Sequence, residues 1–235
     1  MAKEILIFTD GSSRGNPGPG GFASIVASDT EVVELGGRED KTTNNRMELK
    51  AAIIALSYVR SLREKMSVKL FSDSSYVING ITKWVSGWRQ NNWQTKDKKD
   101  VMNRDLWEEL AELDSSLSVV WKYVAGHAGH GANERCDRIA TAFADNEPTT
   151  LYTGSRSGYR VLIEVPRGEQ KSVKGKSGSS GKAYSYVSMV EGKISTHQTW
   201  DECKRRVNGQ RFARFRKALS LEDEKAIYEE FSKPK

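Results

Sequence analysis

Short apolar runs separated by polar punctuation organise the first two thirds of the chain. "EILIF" reads as a buried strand, and the Gly/Pro-rich "DGSSRGNPGPGG" that follows reads as a turn region. "FASIVAS" and "EVVELGG" read as two further strands of a hairpin and meander. In "NNRMELKAAIIALSYVRSL" the apolar residues Met47, Ala51, Ile54, Ala55 and Tyr58 recur at helical spacing. "VKLFSD" is a strand that ends in an acid. Residues 75–113 predict several helices, among them the Trp-rich "KWVSGWRQNNWQ" and the amphipathic "VMNRDLWEELAEL". "LSVVWKYV" predicts a fifth strand and "ANERCDRIATAFADN" a closing helix. A meander followed by alternating helices and strands implies an α/β fold, a mixed sheet with helices on its faces.

The pattern changes after "GYRVLIEV". "RGEQKSVKGKSGSSGK" has too few apolar residues to bury and the composition of a flexible linker, placed at 167–182. It separates a first domain, 1–166, from a second, 183–235. In the second, "AYSYVSMVEG" reads as a strand, "TWDECKRRVNG" as a helix ending at Gly209, "QRFARFRKAL" as extended and "LEDEKAIYEEF" as a final helix, a small α+β unit.

Charge sharpens this division. The 235 residues carry a formal net charge of +6. Residues 1–149 hold 19 Lys and Arg against 21 Asp and Glu, whereas residues 150–235 hold 18 against 10. A basic tail on an acidic body points first to nucleic acid, ahead of an anionic membrane or an acidic protein. A solubilising tail is the plain alternative. No apolar run is long enough to span a bilayer. The opening "MAKEILIFTD" lacks the features of a signal peptide, and two cysteines are too few for a disulfide framework. The expected compartment is therefore the cytoplasm, and the expected state a monomer.

Four acids sit where open α/β sheets place ligands. Asp10 ends the first strand and Asp73 the fourth. Glu48 lies in the first turns of a helix, and Asp137 near the start of the last long helix of the first domain. If the first and fourth strands are neighbours, Asp10 and Asp73 converge. Four carboxylates would repel unless a cation bound them, and oxygen ligands favour Mg²⁺ or Mn²⁺. Each acid also has a local explanation: Asp10 as a turn former, Asn45 and Glu48 as a capping pair, Asp73 and Ser74 as a helix cap, Asp137 as a helix-dipole partner. Only their joint placement argues for a site. "GHAGHGANERCD" adds His127, His130 and Cys136 close to Asp137, which raises zinc as a rival. The lack of a second cysteine pair weakens it.

"FTDGSSRGNPGPGG", "TTNNRMELKA", "FSDSSYVINGITKWV" and "GHAGHGANERCDRIA" occur in an order that closely resembles type 1 ribonuclease H, over residues 3–165. The resemblance implies a ribonuclease H-like fold, a five-stranded mixed sheet flanked by helices. It implies endonucleolytic cleavage of the RNA strand of an RNA/DNA hybrid, leaving a 5′-phosphate and a 3′-hydroxyl. By position it makes Asp10, Glu48, Asp73 and Asp137 the carboxylates that hold two Mg²⁺ ions, with Mn²⁺ as a substitute. His127 becomes the catalytic histidine, moving a proton or helping product and metal leave. Asn16, Asn44 and Asn45 match substrate-contacting positions suited to reading ribose 2′-hydroxyls. Thr43 and Asn103, with Lys41, match a grip on a DNA-strand phosphate. Trp84 and Trp88 match handle positions that line the DNA-strand channel. The handle departs from the family in being poor in Lys and Arg, and Ser75 stands where Gln is common.

The tail "YVSMVEGKISTHQTWDECKRRVNGQRFARFRKAL" resembles the hybrid-binding, viroplasmin-like domain of ribonuclease H1. That likeness implies that Trp200 and Phe215 stack on DNA-strand sugars, with Tyr186 as a third partner, and that Arg216 and Lys217 meet phosphates. Double-stranded RNA is a second candidate partner. The rival reading is a catalytically silent hybrid-binding protein.

Overall fold

The structure is a computed structural model that describes residues 3–126, 130–147, 149–165, 184–190, 192–207, 210, 213–218 and 220–232. The expected linker at 167–182 and the histidine at 127 lie outside the described residues. The chain divides into two compact units, Met1–Glu169 and Gln170–Lys235.

The first unit is built on β1 (Lys3–Ser13), β2 (Gly18–Ala27), β3 (Glu31–Thr42), β4 (Met66–Ser72), β5 (Val120–Tyr123) and β6 (Thr153–Ser155), ordered β5-β4-β1-β2-β3-β6. β4 runs parallel to β1 and β5, and the other pairs are antiparallel. The sheet thus has six strands rather than the expected five. Its sixth, "TGS", is three residues long and has no apolar alternation by which to recognise it.

Alternation along β1 feeds two cores. Ile5 and Ile7 point to one face, where α1 (Asn44–Ser61) and α4 (Arg104–Leu117) lie; Leu6 and Phe8 point to the other, under α5 (Gly131–Ala144). Each such side chain taken from water contributes about 1.5–3 kcal/mol. α1 buries Met47, Ala51 and Ala55 as its spacing predicts, together with Leu49, Ala52, Ile53, Leu56 and Val59. Ile54 is instead 39% exposed, because α1 packs on both sheet and α4 and Ile54 falls on the face opposite.

The Gly/Pro stretch is mostly strand. β1 continues through Ser13 and β2 begins at Gly18, so the turn shrinks to residues 14–17. Between β4 and α4 run α2 (Ser75–Asn79), a π-helical turn (Gly80–Trp84) and α3 (Val85–Gln90). Ser74 caps α2 by accepting from the Val77 N–H at 3.2 Å.

The second unit has a three-stranded antiparallel sheet ordered β8-β7-β9, from β7 (Ser185–Val190), β8 (Lys193–His197) and β9 (Arg214–Ala218). α6 (Trp200–Val207) and α7 (Leu221–Ser232) accompany it. Val187 and Ala218 meet Ile227 and Phe231 of α7 in a small core.

Candidate active site

The parallel ladder between β1 and β4 ends at the pair Thr9–Ser72. Asp10 and Asp73 are the next residues on the two strands, so topology brings them together at one sheet edge. α1 delivers Glu48 to the same place. A Cβ on Gly11 would lie 2.3 Å from the Glu48 backbone nitrogen, so only glycine lets helix and strand approach this closely. Asp137 arrives from α5. It sits midway along that helix rather than near its start, since α5 begins at Gly131.

Each of three acids is held by its own neighbour. Asp10 accepts the Gly11 N–H at 2.7 Å, Glu48 the Asn44 side-chain amide at 2.7 Å, and Asp73 the Asn133 side-chain amide at 3.2 Å. Burial, then the charges of Asp73 and Asp137, push the Asp10 carboxyl up to about 7. Burial, then Asp10 and Asp73, push Glu48 up to about 8. Asp10 thus feels Asp73 and Asp137, and Glu48 feels Asp10 and Asp73, a concentration of negative charge that a cation would relieve. As they stand, no three acid, histidine or cysteine side chains among the described residues form a ready cage. Asp10, Glu48 and Asp73 are each turned toward the donor just named. The donor set is all carboxylate oxygen, which suits a hard divalent cation. It does not suit zinc: Cys136 is fully buried with its thiol 3.3 Å from the Phe8 carbonyl, and His130 occupies the N-cap of α5.

His127 lies outside the described residues. Its neighbour Gly126 packs against Asp73, where a Cβ would fall 2.7 Å from Oδ2.

Asn16 and Asn44 are joined, the Asn44 N–H donating to Asn16 Oδ1 at 3.2 Å, and Asn45 is exposed beside them. Thr43, the N-cap of α1, accepts the Arg46 N–H at 3.4 Å. Arg46 also reaches Asn103 Oδ1 at 3.4 Å and grips Asp105 through two nitrogens at 3.0 and 2.7 Å. Thr43, Arg46 and Asn103 therefore gather at the start of α1. Lys41 stands exposed near the end of β3.

The handle tryptophans separate. Trp88 is in an aromatic cluster, with its ring 5.7 Å from Trp107, 5.7 Å from Trp84 and 6.4 Å from Trp93. It packs against the main core. Trp84 keeps 38% of its surface exposed at the rim of that cluster.

In the second unit, the Trp200 ring lies 5.6 Å from Tyr186 and 5.3 Å from Phe215. Lys217 pairs with Tyr186 in the β7–β9 ladder and shares its face; Arg216 pairs with Val187, on the other face, and bonds Glu230 of α7.

Two residues that the sequence reading passed over matter here. Asn133 is buried, holds Asp73, and leaves its own Oδ1 without a partner. Arg46 ties Thr43 to Asn103. Both are polar residues on helix faces that look solvated in sequence.

The RNase H family model matches residues 2–145. The chain is 51% identical over 140 residues to a ribonuclease H of Mesorhizobium japonicum, covering 60% of this chain and 77% of that protein. It is 47% identical over 154 residues to a ribonuclease H of Escherichia coli O139:H28, covering 66% and 97%. In structure it is similar to LC9-RNase H1, a type 1 RNase H with the type 2 active-site motif, with a TM-score of 0.57, 28% identity, and 70% and 79% of the two chains covered. With a family match over more than half its length and relatives of this identity, the chain belongs to the ribonuclease H family of enzymes.

Proposed function

We propose that this chain hydrolyses the RNA strand of RNA/DNA hybrids, with Asp10, Glu48, Asp73 and Asp137 holding two Mg²⁺ ions. The observation that carries this is the convergence of those acids at the β1–β4 edge, with Asp10 and Glu48 destabilised as anions. Bound there, the ions supply Lewis acidity and positive charge to the attacking and leaving oxygens of a phosphodiester. The protein residues do the rest. Asn44 and Asn133 orient Glu48 and Asp73. His127, outside the described residues, transfers a proton near neutral pH or helps product and metal leave. Asn16, Asn44 and Asn45 read 2′-hydroxyls, and Thr43 and Asn103, with Arg46 between them and Lys41 nearby, hold a phosphate of the DNA strand. Trp84 borders the path of that strand, and Trp88 supports it from the cluster.

We read residues 1–166 as the catalytic domain, 167–182 as a linker and 183–235 as a hybrid-binding module. The supporting observation is the aromatic triplet of exposed Trp200 and Phe215 with half-buried Tyr186, beside Lys217. Such rings stack on nucleic acid, and cations beside them meet phosphates. Arg216 lies on the opposite face in an exposed pair with Glu230; such a pair contributes little and can open toward a phosphate there. A tethered module raises the local concentration of hybrid at the acids. No helix among the described residues is long and apolar enough to cross a membrane. We assign the protein to the cytoplasm, as a monomer, with double-stranded RNA as a second ligand of the module.

The test separates enzyme from silent binder. Asp10→Asn should abolish cleavage and keep hybrid binding. If the unsubstituted chain binds hybrid and never cuts it, the silent-binder reading replaces this one.

A further inference from the structure

One buried acid takes no part in the chemistry above. Glu34 of β3 has a side chain with 0% of its surface exposed. Arg135 of α5 binds it two-pronged, Nε to Oε1 at 2.7 Å and Nη2 to Oε2 at 2.8 Å. The same carboxylate accepts the Tyr159 hydroxyl at 2.6 Å and the Tyr152 N–H at 2.9 Å. The Glu34 N–H donates to the Tyr152 carbonyl at 2.7 Å, and Arg135 Nη2 also donates to the Thr150 carbonyl at 3.1 Å. β3, α5 and the segments on both sides of β6 therefore meet at one carboxylate. Burial works against the Glu34 anion, but its hydrogen bonds outweigh this and hold it below the usual range; burial and Glu34 together push the Tyr159 phenol up.

A buried ion pair is a weak source of net stability compared with apolar packing of the same volume. It does fix geometry, because a two-pronged Arg–carboxylate pair sets both a distance and an angle. The place being fixed is specific. Arg135 lies two residues after Asn133, which holds Asp73, and two before Asp137. The C-terminal end of α5 has ties of its own, Arg38 donating to the Phe143 and Ala144 carbonyls and Arg14 binding Asp145; the first half, which carries Asn133 and Asp137, otherwise rests on the sheet through the apolar Ala132 and Cys136.

We propose that Glu34 is a positioning residue: through Arg135 it sets where the first half of α5 lies on the sheet, and so places Asn133 against Asp73 and Asp137 beside Asp10. Residues 150–159, beyond the segment matched by the family model, are then part of the catalytic unit. The inference rests on reading Asp137 as a metal-holding carboxylate.

The test uses the full chain. Glu34→Leu with Arg135→Met removes both charges together and leaves no unpaired ion. The expected result is a chain that still folds, with its melting temperature lowered because the Tyr152 N–H and the Tyr159 hydroxyl lose their acceptor, and with kcat on hybrid and Mn²⁺ affinity by calorimetry each reduced roughly tenfold and KM unchanged. Arg135→Lys keeps the charge without the fork and should not restore kcat. A folded double variant with unaltered kcat and Mn²⁺ affinity overturns the inference, as does full activity in Arg135→Lys. Should the double variant not fold, Tyr159→Phe removes one donor only; a smaller loss in the same two readouts supports the inference, and no loss overturns it. Asp137→Asn is measured alongside. If it keeps both readouts, the reading of Asp137 falls and the inference with it; if it loses them while the Glu34 and Arg135 variants do not, only the inference falls.

Discussion

Asp10 and Asp73 occupy matching positions one residue beyond the Thr9–Ser72 pair that closes the parallel ladder between β1 and β4. The backbone thus forces two like charges together whatever their surroundings, and Glu48 and Asp137 add to the repulsion. Removing one charge should stabilise the metal-free fold while destroying the metal site. Asp10→Asn is expected to raise the melting temperature in chelator by a few degrees. It should lower cleavage by more than about a hundredfold, since even outer partners of a metal site cost 10–100-fold. Calorimetry and a cleavage assay on the same preparation check both.

The raised carboxyls make stability depend on pH. Asp10 moves from an ordinary 3.8 to about 7 and Glu48 from 4.5 to about 8. Between the ordinary and the raised values the folded chain keeps protons that the unfolded chain has lost. Stability contributed by these groups is full below the ordinary values and is lost as pH rises toward 8. With chelator, the melting temperature should fall across that window. Asp10→Asn with Glu48→Gln should flatten the fall. Mg²⁺ displaces the protons and should restore stability most strongly at the alkaline end. An identical pH slope in the double variant would contradict this assignment.

The handle is held by packing before it can serve a substrate. A Cβ on Gly80 would fall 2.0 Å from the Trp107 ring, which is fully buried. Gly80→Ala should destabilise by about 1–3 kcal/mol or more, as overpacking does. Trp88→Ala should cost about 3–5 kcal/mol. Trp84→Ala, at the exposed rim, should cost about 1 kcal/mol or less and show itself instead in hybrid affinity. Urea denaturation separates the three.

The second unit should govern affinity rather than chemistry. Trp200→Ala with Phe215→Ala is expected to weaken hybrid binding by roughly tenfold or more, since a stacked base contributes about 1–3 kcal/mol, with kcat at saturation unchanged. Deleting residues 169–235 should also flatten the salt dependence, because fewer phosphates are neutralised. Fluorescence anisotropy across a salt series reads both.

Much of this fold is legible in the chain because apolar periodicity survives wherever an element has a buried face. β1 to β5, α1, α4 and α5 all carry it. β6 does not, since its three residues are held by pairing to β3 and not by side chains. The end of β1 was hidden for a different reason: Asp10, Gly11 and Ser12 are turn-forming types, yet Gly11 is there so that α1 can approach. The candidate acids stand out in the sequence through the family pattern and as expected strand ends and helix starts, although Asp10 lies inside β1 and Asp137 midway along α5. Asn133 and Arg46 do not, because a polar residue on a helix looks solvated until its partner is known. Glu34 left a trace. It alternates with Val32, a fully buried residue, so a charged side chain stands at an inward position of β3.

The most direct measurement offers the full chain end-labelled RNA/DNA hybrid, double-stranded RNA, single-stranded RNA and DNA duplex, each with Mg²⁺ and with chelator. Only the RNA strand of the hybrid should be cut, only with the metal, and the products should carry 5′-phosphate and 3′-hydroxyl ends. Cleavage that persists in chelator, or tight hybrid binding without cleavage in either Mg²⁺ or Mn²⁺, would contradict it.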